Sequence, residues 1–182
     1  MTGMGVVVAL HVSATHSFSK ASVAGIDVIA GLGAVGDAHS GGTVRHRSRV
    51  AADPTQPNLR QIHLIPAELF DQLNEAGHSV VPGELGENIT TRGIELYDLP
   101  TGTLLRFGDS ALLALTGLRN PCVQIEAFQT GLLKRVVSRD SAGNTVRSAG
   151  VMSVVVQGGT ITVGDPISIA LPPPPHIPLS RV

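Results

Sequence analysis

Four short stretches of this sequence carry residues able to do chemistry. The first is Gly36-Asp37-Ala38-His39-Ser40-Gly41-Gly42, followed by Arg45, His46, Arg47 and Arg49. A glycine turn there presents one carboxylate and one imidazole, and three of the chain's 13 basic residues fall within five positions. Guanidinium forks bind phosphate oxygens in pairs, and glycine N–H groups can approach an anion closely. A solvated loop fits equally well, because Arg outnumbers Lys 11 to 2 throughout. The second stretch is Gln61-Ile62-His63-Leu64-Ile65, whose alternation predicts a strand with Gln61 and His63 on one face. That face lines a pocket or meets solvent, and spacing alone favours solvent. The third, Pro82-Gly83-Glu84-Leu85-Gly86-Glu87-Asn88-Ile89-Thr90, offers Glu87 and Asn88 to orient a ligand or a catalytic histidine. The same side chains can satisfy the backbone of a turn, and the glycines favour that reading.

The fourth stretch, Thr116-Gly117-Leu118-Arg119-Asn120-Pro121-Cys122, holds the chain's one cysteine. Pro121 stiffens the approach, Arg119 supplies a cation, and a helix is expected to begin directly after Cys122. A cysteine at a helix start beside Arg is in a setting that favours thiolate. Thiolate suits a soft metal such as molybdenum, or a sulfur-transfer reaction. A lone cysteine is also commonly a small buried hydrophobe.

The elements that must position these residues are short. Apolar runs rich in β-branched residues are punctuated by 21 Gly and 12 Pro. Strands are predicted at Gly5–Val12, Gly25–Ala30, Arg60–Ile65 and Pro166–Leu171. Two hairpins are predicted: Gly102–Phe107 with Ala111–Thr116 around Gly108-Asp109, and Val151–Val156 with Thr160–Val163 around Gly158-Gly159. Helical periodicity is clear over Pro66–Ala76, with Pro66 suited to the first turn and Gly77 to the stop. Shorter helices are expected at Val123–Phe128 and Leu132–Ser138. Many short strands and few helices predict a mainly β protein, a closed or nearly closed barrel in which closure removes exposed edges. One domain is expected over residues 1–171. Pro172–Pro175 cannot pair in a sheet, so 172–182 is expected to be an extended arm.

Composition removes several classes. With 42% hydrophobic and 15% charged residues and 182 residues in all, the chain can bury a substantial core and is not disordered. A formal charge of −1 argues against broad electrostatic capture of nucleic acid or anionic membrane, and 3% aromatic residues argue against base-stacking platforms. One cysteine excludes an internal disulfide and an all-cysteine metal cage. No signal-peptide pattern and no membrane-spanning helix is found, so a cytoplasmic protein is expected. Paired-cysteine zinc motifs, HExxH, the Walker loop, GxGxxG at a strand–helix junction and GxSxG are all absent.

In order and spacing, the four stretches resemble those of the MOSC family, named for the C-terminal domain of molybdenum cofactor sulfurases, and in particular its small standalone bacterial members. The matching segments are Gly36-Asp37-Ala38-His39-Ser40-Gly41, Arg60-Gln61-Ile62-His63-Leu64, Leu85-Gly86-Glu87-Asn88-Ile89, Gly102 to Gly108, and Leu115-Thr116-Gly117-Leu118-Arg119-Asn120-Pro121-Cys122. The likeness runs from about Gly5 to Ile169. It implies a barrel of the pyruvate-kinase-barrel type with a few peripheral helices, and a molybdenum cofactor (molybdopterin) whose metal is bound by Cys122. It implies Asp37, His39 and His63 near that cysteine as proton donors or orienting groups. Arg45, Arg47, Arg49 and Arg119, with Glu87, Asn88 and Asn120, become the candidate cofactor-binding set. The implied activity is reduction of N-hydroxylated small-molecule substrates, with electrons from a separate donor protein. The alternatives are a sulfur carrier with a persulfide on Cys122, or a cofactor-independent thiol enzyme. Pyridoxal phosphate is not expected, since no room is found for a desulfurase domain.

Overall fold

The computed structural model describes residues 4–45, 50–51 and 53–182. In chain order its elements are β1 (Met4–Val12), β2 (Ala21–Val23), β3 (Gly25–Ile29), β4 (Gly33–Ala34), β5 (Ile62–Pro66), α1 (Ala67–Glu75), β6 (Ile89–Arg92), β7 (Leu104–Phe107) and β8 (Ala111–Leu118). They continue with α2 (Val123–Phe128), α3 (Leu133–Val136), β9 (Val137–Arg139), β10 (Thr145–Arg147), β11 (Val151–Gln157), β12 (Gly159–Thr162) and β13 (Pro166–Ala170). Strands β13, β7, β8, β11, β5, β6 and β1 pair in that order, and β1 returns to β13, so the sheet closes as the sequence predicts. Closure depends on the length of β1. Its start pairs with β13, its middle with β6 and its end with β2, and a register shift between Val7 and Ala9 bends it between partners.

Alternation along the strands fills the barrel. Leu64, Leu105, Phe107, Leu113 and Val151 are fully buried and belong to one apolar cluster. Strand β5 departs from simple alternation, because all five of its residues are buried. Ile62 and Leu64 face the barrel cluster, while Ile65 joins a second cluster with Leu69, Phe70 and Leu73 of α1, and with Ile125 and Val136. Helix α1 is the crossover joining the parallel strands β5 and β6. Pro66 caps its start, and Gly77, at φ 87°, ends it in the left-handed region that favours glycine. None of the described helices is long and apolar enough to cross a membrane.

Two expectations are corrected. The Gly108-Asp109 hairpin forms, with β7 and β8 antiparallel, but Gly158-Gly159 does not turn β11 back on β12. Both edges of β11 are already occupied, by β8 and by β5, so β12 pairs instead with β3 in a small outer sheet. Gly158 passes close over that sheet: a Cβ there would meet the Val28 carbonyl oxygen at 2.8 Å. The second concerns the helix expected over Leu132–Ser138, which forms only at Leu133–Val136 before the chain extends as β9. In the tail, Pro172–Pro175 stay out of the ladders, but Pro178 and Arg181 form bridges to Pro100 and Leu118, and Leu179 packs into the barrel cluster. An X-Pro segment that lacks N–H donors still has carbonyls to offer, and the residues beyond it supply the donors.

Candidate functional site

The turn after β4 places Asp37 inside the protein, 6% exposed, where its carboxylate is an acceptor for donors from four segments. Lys20 Nζ lies 2.6 Å from Oδ2, Asn88 Nδ2 donates to Oδ2 at 2.9 Å, and the Ser13 N–H donates at 3.4 Å. The His39 N–H donates to Oδ1 at 2.9 Å, and His39 Nδ1 lies 3.2 Å from the same oxygen. Because a carboxylate only accepts, this geometry puts the proton on Nδ1 and leaves Nε2 as the other reactive edge. Burial alone would raise the Asp37 pKa, but the His39 hydrogen bond and the Lys20 charge outweigh it and hold the carboxyl well below the usual carboxylate range.

Asn88, 1% exposed, ties this cluster to the barrel. Its Nδ2 also donates to the His11 carbonyl on β1 at 3.2 Å, and its Oδ1 accepts the His63 N–H on β5 at 3.2 Å. His63 itself is buried, not solvent-facing as spacing alone suggests. The 150–151 backbone covers its face, and Nε2 lies 2.9 Å from the Ala149 carbonyl oxygen, which requires the proton on Nε2. Gly150 permits this approach, since a Cβ there would collide with His63 Nε2. Burial first, and then the Arg119 charge, lowers the His63 pKa well below 6.5, so the ring is neutral at pH 7.

Cys122 stands at the start of α2, as the sequence predicts, and is partly exposed. Its Sγ–H points to Gln124 Oε1 at 3.4 Å. Arg119, three residues earlier, is anchored by Nη1 donating to the Leu85 carbonyl at 2.8 Å and lies 6.0 Å over the Phe18 ring. Cys122 and Arg119 line a cavity of about 360 Å³, within the range of small-molecule sites. Five cationic side chains open onto it: Lys20, Arg45, Arg60, Arg119 and Arg181. No Asp or Glu lines it among the described residues. His39 and His63 share the wall, as do the amides of Asn58, Asn88 and Asn120. Among the described residues no group of three or more His, Cys, Asp or Glu is arranged to hold a metal ion.

The fold therefore brings His39, Arg45, His63, Asn88, Arg119, Asn120 and Cys122 to one cavity, with Asp37 directly behind His39. Arg47 and Arg49 lie outside the described residues. Glu87 is not part of the cavity wall. It is fully buried, its Oε1 accepts the Gly83 N–H and the Thr90 hydroxyl, and it sits 3.9 Å from His11 Nδ1, the turn-satisfying use that the glycines suggest. Lys20, Asn58, Arg60 and Arg181 escape sequence reasoning. Lys20 lies in a polar loop with no motif, and Arg181 lies in the expected extended arm beyond a proline run.

A MOSC domain model matches residues 38–168. The YuaD protein from Bacillus subtilis is 23% identical over 91% of this chain and 95% of its own, with a TM-score of 0.74. YiiM from Geobacillus stearothermophilus is 20% identical over 96% of this chain and 79% of its own, with a TM-score of 0.65. YiiM from Escherichia coli is 17% identical over 94% and 73%, with a TM-score of 0.61. At these identities the structural likeness is one of fold. No curated protein sequence matches the chain.

Proposed function

The chain belongs to the MOSC domain family, and from that premise we propose that its cavity holds a pterin-based molybdenum cofactor, with Cys122 as the protein's ligand to the metal, and that the loaded protein reduces N-hydroxylated small molecules. The observation that carries this reading is a partly exposed thiol opening onto a cavity lined by Arg45, Arg60, Arg119 and Arg181, with no Asp or Glu in its wall among the described residues. That donor set fits the group: sulfur suits a soft metal, and guanidinium and amide donors suit a phosphate-bearing heterocycle. Cys122 is one donor only, so a metal there must bring its other ligands with the cofactor. Arg119 and Arg45 would hold the anionic part and Asn120 would offer its amide to the ring, while Asn88, whose amide is committed to Asp37, His11 and His63, is a positioning residue.

When bound, the cofactor would supply a two-electron redox centre. The protein's part is binding and proton supply. Reduction of an N–OH bond consumes two electrons, from a separate donor protein, and two protons, and yields N–H and water. His39 is the proton carrier in this account: Asp37 fixes its Nδ1, and Nε2 is the edge left for substrate. His63 is a positioning residue, since its Nε2 proton is committed to Ala149 and burial keeps it neutral. Protein purified from a host that makes the cofactor should oxidise a reduced viologen dye when benzamidoxime or hydroxylamine is added. Loaded protein that consumes no dye with either substrate contradicts the reductase assignment.

A second reading uses the same partly exposed sulfur, in the cavity that Arg119 also lines. The Cys122 thiolate attacks the outer sulfur of a persulfide donor, whose thiolate leaves, and Arg119 stabilises the resulting anionic persulfide. A mass increase of about 32 Da on the Cys122 peptide after loading with a persulfide donor, the mass of one sulfur atom, supports it. Unchanged mass after loading counts against it.

A further inference from the structure

Strand β8 outruns its neighbour. Pairing with β7 ends at Ala114, so on that edge Gly117 and Leu118 lie open, while β11 covers the other edge. The residues after the proline run fill the gap. The Leu118 N–H donates to the Ser180 carbonyl at 2.7 Å, and the Val182 N–H donates to the Leu118 carbonyl at 3.3 Å, a parallel bridge centred on Arg181. Upstream, the Thr101 N–H donates to the Ile177 carbonyl at 2.8 Å, Pro178 bridges Pro100, and Leu179 is 9% exposed in the barrel cluster. Gly117 makes this contact possible. A Cβ there would collide with the Ser180 carbonyl oxygen and meet Val182 Cβ at 2.9 Å.

The segment is thus held at both ends of a six-residue span, and its one charged side chain, Arg181, comes to the cavity wall beside the strand end that leads to Arg119 and Cys122. The ion pairs among the described residues are His11–Glu87, Lys20–Asp37, His39–Asp37 and Arg92–Asp71, so no carboxylate neutralises Arg181. An exposed guanidinium held by its backbone against a cavity without carboxylates is placed for an anion. We infer that the segment Ile177–Val182 is a built-in part of the binding site, delivering Arg181 to the cavity to grip a phosphate-type oxyanion of the ligand. The inference rests on the reading of the cavity as an anion site, and it adds a residue that lies outside the four chemistry-bearing stretches.

The test is calorimetric titration of inorganic pyrophosphate, at low ionic strength, into the full chain made in a host lacking the cofactor. Arg181→Gln should bind about tenfold more weakly, the loss of one charge-assisted hydrogen bond. Gly117→Val, which displaces the segment without touching Arg181, should lose binding to a similar degree. Arg139→Gln, whose guanidinium bonds Gly143 in the β9–β10 hairpin away from the cavity wall, should bind as wild type does. Wild-type affinity in Arg181→Gln alongside weakened binding in Arg45→Gln overturns the inference and leaves the anion site standing. Absence of binding in wild type, or full affinity in both Arg45→Gln and Arg181→Gln, overturns the anion site and this inference with it.

Discussion

Replacing Asp37 by Asn should cost this protein a large share of its stability, and the structure says why. The Lys20 ammonium sits 2.6 Å from Asp37 Oδ2, with side chains 3% and 0% exposed. Asn88 Nδ2 and the Ser13 N–H converge on the same oxygen, and two His39 donors converge on the other. An amide offers one acceptor oxygen in place of two and points an NH₂ at donors, while Lys20 is left as a buried charge without its adjacent counter-ion. Removing one partner of a buried ion pair costs about 3–5 kcal/mol. Against a usual domain stability of about 5–15 kcal/mol, that is at least about a fifth of the total. Urea unfolding followed by circular dichroism at neutral pH reads the change directly. A double variant, Lys20→Met with Asp37→Asn, removes the orphaned charge and should recover about 0.5–3 kcal/mol relative to Asp37→Asn alone, as expected for groups in contact. Asp37→Asn within about 1 kcal/mol of wild type, or a double variant no more stable than the single, refutes the reasoning.

Gly150→Ala should destabilise by at least about 2 kcal/mol, because φ there is 112° and the new Cβ collides with His63 Nε2; an unchanged urea midpoint would contradict the packing described around His63. Acid should weaken the fold through His63. Its folded-state pKa lies well below 6.5, so between pH 7 and pH 5 the unfolded chain takes up a proton that the folded chain does not, and stability is lost as pH falls below 6.5. Relative to His63→Gln, wild type should lose stability from pH 7 to 5, by at most about 2 kcal/mol, and parallel stability curves would show the ring to be charged or exposed. Cys122 should react with a disulfide reagent in the folded protein, one thiol per chain, and reaction only in denaturant would identify it as inert core.

Much of the barrel is legible in the sequence because its signals are local. Strand β1, helix α1 and the β7–β8 hairpin follow from periodicity, a proline start, a glycine stop and a Gly-Asp turn. The readings that miss depend on what lies across the chain. Gly158-Gly159 looks like a hairpin turn until β8 and β5 take both edges of β11. His63 looks solvent-facing until the backbone at Gly150 closes over it. The site divides in the same way. Cys122, Arg119 and the Asp37-His39 turn stand in stretches whose residue types and spacing mark them. Lys20 and Arg181 enter only through tertiary structure, one by its bond to Asp37 and the other by an open edge of β8.

The central claim is that Cys122 binds the metal of a cofactor held in this cavity. Its most direct test is metal analysis by inductively coupled plasma mass spectrometry on protein from a host that makes the molybdenum cofactor, with wild type beside Cys122→Ser. The account predicts near-stoichiometric molybdenum in wild type and its loss in the variant. Full molybdenum content in Cys122→Ser, or none in wild type, would contradict it.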